Sequence, residues 1–160
     1  MFSAREIFDI AIRLEENGER LYREALAYVS DQPVREMLAW LADQEDRHRD
    51  RFRRMKSSIK AGENVLWAEE MGRAILEGAV EHHAFSLEEV NFKSVANEAE
   101  LIKVALEFEN DGVLFYEILG SFATDPDTLG QLAEIIAEER KHIQLLDERQ
   151  RTLEELKENR

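Results

Sequence analysis

Six residues of this 160-residue chain combine metal-ligating chemistry with a spacing that gathers them: Glu15, Glu45, His48, Glu109, Glu139 and His142. Glu45 precedes His48 by three residues, and Glu139 precedes His142 by three. On a helix that interval sets both side chains on one face, about one turn apart. Each of the six interrupts a stripe of apolar residues, where an ion without a partner costs several kcal/mol. Two carboxylates about 4 Å apart repel by roughly 4 kcal/mol at an effective dielectric of 20. Two divalent cations answer both problems, because four negative charges then meet four positive ones. Mixed carboxylate and imidazole donors suit iron or manganese, and zinc is admissible. Glutamate fills 26 of 160 positions, so one Glu-x-x-His pair carries little weight. Two such pairs on core stripes, each preceded 30 residues earlier by a core-facing Glu, carry much more.

The elements that must position these groups are helices. Ile7, Ala11, Leu14, Gly18, Leu21, Ala25 and Tyr28 alternate steps of four and three, and Ser3 with Glu6 has capping-box spacing. Ser30, Asp31 and Pro33 break that run, with Asp31 as the N-cap of a second helix. Its stripe is Val34, Leu38, Leu41, Glu45, His48, Phe52, Met55 and Ile59, and Gly62 is expected to end it. A third helix should start near Asn97, with Glu100 as capping partner. Asp125 and Pro126 should open the fourth, whose stripe runs Leu132, Ile135, Glu139, His142 and Leu146. Short links pair the helices into antiparallel hairpins over 3–60 and 97–155. The intervening 61–96 is too long for a turn, and its stretch Val65 to Val80 predicts a short helix despite Gly72 and Gly78. The expected fold is all-α: one domain, a four-helix bundle of two hairpins joined by a long crossover, the ferritin-like connectivity.

The two hairpins repeat one another. Residues 11–52 laid on 105–146 without a gap match Glu15 with Glu109, Gly18 with Gly112, Tyr22 with Tyr116, Asp31 with Asp125, Glu45 with Glu139 and His48 with His142. A pseudo-two-fold relation follows, so each half-site should meet its counterpart. One Glu from each of two helices plus Glu-x-x-His from two others is the di-iron carboxylate arrangement of bundle cores. Tyr22 and Tyr116 lie two turns beyond Glu15 and Glu109, placed to hydrogen-bond ligand carboxylates or to act in redox chemistry, with an ordinary buried tyrosine as the plain alternative. Gly18 and Gly112 either leave room for a small oxidant or allow close helix packing.

Composition narrows the remaining choices. With no Cys, the chain itself holds no disulfide, thiolate nucleophile or cysteine-ligated iron. A net charge of −14 argues against nucleic acid or an anionic membrane surface as partner. No apolar run approaches the roughly 20 residues of a membrane span, and Met1–Ile10 carries Arg5, Glu6 and Asp9 instead of a signal core. A cytoplasmic protein is expected. His82 and His83, the basic run Arg47, Arg49, Arg51, Arg53, Arg54 and Lys56, and a fraying tail from Arg149 to Arg160 are expected at the surface.

Glu15–Gly18–Tyr22, Glu45–His48, Glu109–Gly112–Tyr116 and Glu139–His142 together resemble the rubrerythrin and ferritin-like di-iron family, over most of the chain. The resemblance implies two iron ions, bridged by Glu45 and Glu139. Glu15 and His48 would be terminal ligands on one side, Glu109 and His142 on the other. It also implies two departures. Typical rubrerythrins carry a rubredoxin-like domain with four cysteines, so electrons here must come from an external donor such as a rubredoxin-like protein. They also carry an extra Glu where this chain has Gly112, which makes the present site more symmetric. The function expected is a di-iron oxidoreductase reducing hydrogen peroxide, or dioxygen in its place, as a homodimer. A ferroxidase or iron-handling protein is the second reading, and a metal-stapled structural bundle without turnover the third.

Overall fold

The computed structural model describes residues 3–60, 69–74, 95 and 97–160. Its long elements are four helices, α1 (Ala4–Ala25), α2 (Gln32–Ser58), α3 (Glu98–Phe122) and α4 (Pro126–Glu158). No strand occurs among the described residues. Each helix starts where local chemistry satisfies the free amides of its first turn. The Ser3 side chain accepts from the Glu6 amide while the Glu6 carboxylate takes the Ser3 amide, closing the expected capping box. Asn97 Oδ1 accepts from the Glu100 amide at 3.0 Å, and Asp125 Oδ2 from the Thr128 amide at 2.8 Å. Asp31 occupies the N-cap of α2 but makes no capping bond. Its carboxylate instead faces Arg149 of α4 at 3.4 Å.

The helices pack most closely as the hairpins α1–α2 and α3–α4, joined by α1 against α3 and α2 against α4. Two apolar clusters fill the interior. One gathers Ile7, Phe8, Leu14, Phe52, Phe115, Leu132 and Ile135. The other gathers Leu21, Leu38, Leu41, Ala42, Ala105, Phe108 and Leu146. Along every helix the six candidate ligands fall between these clusters, so a polar layer crosses the middle of the bundle.

Four expectations change. Tyr28 does not extend the first stripe: α1 ends at Ala25, the turn re-aims the chain, and Tyr28 is 60% exposed while Val29 takes the core position. The basic run is not simply a solvated face. Arg49 reaches Glu19 at 2.6 Å, Arg51 reaches Glu134 at 2.7 Å, Arg53 reaches Glu16 at 3.1 Å, and Lys56 pairs with Asp9, tying α2 to its neighbours on both sides. Nor does the chain fray from Arg149: α4 runs to Glu158, with Arg149 held by Glu98 at 2.7 Å and Leu153 packed on the second cluster. The second hairpin thus continues past 155. Of the crossover, residues 69–74 are helical and bury Met71 in the first cluster. Gly62, Val65, Gly78, Val80, His82 and His83 lie outside the described residues.

Candidate metal centre

The six residues singled out by spacing all reach the polar layer. Glu15, Glu45, His48, Glu109, Glu139 and His142 are each at most 2% exposed. Their donor atoms form two overlapping groups, Glu15–Glu45–His48–Glu139 and Glu45–Glu109–Glu139–His142, in each of which one atom per residue lies within 4.8 Å of the others. Glu45 and Glu139 belong to both. Glu139 spans them visibly: Oε1 lies 2.9 Å from His48 Nδ1 and Oε2 lies 2.8 Å from His142 Nδ1. His142 Nδ1 also faces Glu45 Oε1 at 3.3 Å and Glu109 Oε1 at 3.5 Å, and His48 Nδ1 faces Glu15 Oε2 at 3.7 Å. The two imidazoles stack nearly parallel, with ring centroids 5.7 Å apart.

The tyrosines cross between hairpins. Tyr22 on α1 donates its hydroxyl to Glu109 on α3, and Tyr116 on α3 donates to Glu15 on α1. Glu15 therefore has Oε1 fixed by the opposite half of the repeat and turns Oε2 toward His48, whereas in Glu109 the oxygen that accepts from Tyr22, Oε1, is also the one that faces His142. Burial, followed by the charges of these same carboxylates, pushes both phenols well above their usual range. The glycines are not equivalent. A Cβ on Gly18 would stand 2.7 Å from both Glu45 Oε2 and Phe108 Cε1, so that glycine serves close packing. Among the described residues, a Cβ on Gly112 would meet only Tyr116, at 3.8 Å.

The electrostatics are those of a site that needs cations. Burial and the neighbouring Glu139 charge push Glu15 up to about 7 and Glu109 up to about 8. Burial with three surrounding carboxylates holds Glu45 well above the ordinary range. Burial opposes the imidazolium form, but adjacent carboxylates overcome it, lifting His48 to about 9 and His142 to about 10. Glu139 moves down, because both histidines outweigh its burial. Without metal, protons hold the layer together. Among the described residues, Glu15 Oε2 and Glu45 Oε1 are nevertheless buried with no hydrogen-bond partner, and Glu139 Oε2 and His142 Nδ1, though 2.8 Å apart, are not aligned for a hydrogen bond with each other or with any other group. Buried polar atoms are rarely orphaned, and four of them converging from three helices fit a metal pair held by oxygen and imidazole donors.

Sequence reasoning missed two neighbours of the histidines. Glu138 Oε2 lies 2.7 Å from His48 Nε2. Trp40 stands T-shaped to His142, with ring centroids 5.4 Å apart. The signal available for both was a mismatch in the repeat, since Glu138 falls opposite Gln44 and Trp40 opposite Glu134.

Comparison with known proteins agrees with this geometry. A Thermotoga maritima protein of known crystal structure, classed as ferritin-like and diiron-carboxylate, superposes with a TM-score of 0.72 at 26% identity, covering 94% of this chain and 95% of its own. No curated protein matches the chain significantly. The rubrerythrin family profile matches residues 6–98, more than half of the sequence and including Glu15, Glu45 and His48. With that match and the buried Glu/His layer in place, the chain belongs to the rubrerythrin family.

Proposed function

We propose that the protein is a non-haem di-iron oxidoreductase that reduces hydrogen peroxide to water, or dioxygen in its place. The observation supporting this most strongly is the pair of overlapping donor groups that share Glu45 and Glu139. In this reading Glu45 and Glu139, which belong to both groups, would be shared between two ions, with Glu15 and His48 completing one position and Glu109 and His142 the other. Two ferrous ions there would supply together the two electrons that split an O–O bond, without release of a one-electron radical. The chain's own residues do the rest. Tyr22 and Tyr116 hold the terminal carboxylates in place across the hairpin interface. The apolar clusters above and below exclude bulk water, so the carboxylates act in a low-dielectric layer. These 160 residues hold no cysteine for a rubredoxin-type iron, so in this reading the electrons would reach the centre from a donor outside them.

Turnover tests this reading. Iron-loaded protein is mixed with hydrogen peroxide and reduced rubredoxin, and donor oxidation is followed against metal-free protein. Two donor equivalents consumed per peroxide, lost in the Glu45→Ala/Glu139→Ala double variant, is the expected result. Consumption of added Fe(II) with deposition of ferric product, and no donor turnover, would make the protein a ferroxidase. Metal-dependent stability with neither reaction would leave a structural bundle.

A further inference from the structure

The two halves of the centre share a ligand set but differ in what stands behind each histidine. His48 turns Nδ1 toward the centre and Nε2 toward Glu138, whose Oε2 lies 2.7 Å away. The other oxygen of Glu138 is 3.8 Å from Arg51 Nη1, and Arg51 also holds Glu134 at 2.7 Å. His48 is therefore backed by an anchored carboxylate. The positions matching Glu138, Arg51 and Glu134 in the other half of the repeat are Gln44, Leu145 and Trp40. None carries charge. Among the described residues, the carboxylates paired with His142 are Glu45, Glu109 and Glu139, all at Nδ1. The Trp40 ring packs against its ring in a T-shaped arrangement.

A histidine ligates metal through one neutral nitrogen, and the hydrogen bond made by its other nitrogen selects the tautomer and orientation. Glu138 accepts from Nε2, so when metal displaces one proton from His48 the proton kept is the one on Nε2, and the Nδ1 lone pair is then free to ligate. The negative charge behind the ring also makes the imidazole a stronger donor. The Glu138 side chain is 41% exposed, unlike the buried ligands. It lies on the far side of the ring from the donor cluster, and so it acts through His48.

We propose that Glu138 is a positioning residue that makes the two metal positions unequal. The position formed with Glu15 and His48 fills first and binds more tightly than the one formed with Glu109 and His142. This rests on the two-metal reading above and adds an order of loading set by residues outside the ligand set.

Metal-free full-length protein titrated anaerobically with Co(II), followed by visible absorption and calorimetry, tests the proposal. Wild-type protein should bind two equivalents in two resolved steps. Glu138→Gln should weaken the first step by about 10- to 100-fold, the usual cost of losing a partner behind a ligating histidine. The second step should stay in place, and so should the melting temperature of the metal-free protein, a readout that a merely structural role would move. Gln44→Glu, placing a carboxylate at the matched position behind His142, should strengthen the second step and bring the two together. Unchanged steps in Glu138→Gln, or equal weakening of both, would overturn the proposal while leaving the two-metal centre standing. Fewer than two equivalents bound by wild-type protein would overturn the two-metal reading and this inference with it.

Discussion

At the scale of single residues, the centre is a store of displaced protons. Glu15 and Glu109, ordinarily near 4.5, are pushed up to about 7 and about 8, and the histidines, ordinarily near 6.5, to about 9 and about 10. The folded chain therefore binds more protons than the unfolded chain throughout the neutral range, and stability falls with rising pH wherever that is so. For the two carboxyls the fall runs from about 4.5 up to about 8. The histidine contribution is complete below 6.5 and is lost as pH climbs through 9 and 10. Glu139 acts oppositely, since its lowered value stabilises above 4.5 and is lost on acidification. Metal must expel the held protons, so its affinity should tighten as pH rises. The melting temperature of metal-free protein is expected to fall from pH 6 to pH 10, and metal-loaded protein to be much less sensitive. Parallel pH profiles for the two forms would contradict this assignment of protons to the ligand layer.

At the scale of elements, near-identical helices differ where one side chain differs. Gly18 and Gly112 look interchangeable in the repeat, but Gly18 faces Phe108 whereas the residue matching Phe108 in the other half is the smaller Leu14. Gly112→Ala should stabilise the protein by about 0.5–1 kcal/mol, the usual gain in a helix interior, because among the described residues the added methyl meets only Tyr116, at ordinary contact distance. Gly18→Ala should destabilise by about 1–3 kcal/mol, because its Cβ must displace a packed ring and the Glu45 carboxylate. Urea denaturation of the two variants reads the opposite signs directly, and equal effects would show that the packing around Gly18 relaxes freely. The helix starts were legible because capping is local: Ser3, Asn97 and Asp125 each bond within three residues. Asp31 was only half legible. Its cap position follows from sequence, but its diversion to Arg149 joins residues 118 apart.

At the scale of the whole molecule, a bundle core is cut by a polar layer, and the cut is where the chemistry lies. Helical periodicity and the repeat made the bundle readable, and the six interruptions of the stripes marked the layer. Other features lie off those stripes. Glu138 is half-exposed and meets His48 across 90 residues of sequence, and the Arg49 to Lys56 ion pairs depend on which acids α1 and α4 present. Periodicity sorts residues into faces but does not say which exposed charges meet across a helix interface. The central claim is that the layer is built for two ions, and an anaerobic Fe(II) titration of metal-free protein tests it most directly. Two tight sites per chain are predicted, with the pair lost when Glu45 and Glu139 are both replaced by Ala. A single site or none, or two coupled ions persisting in that double variant, would contradict it.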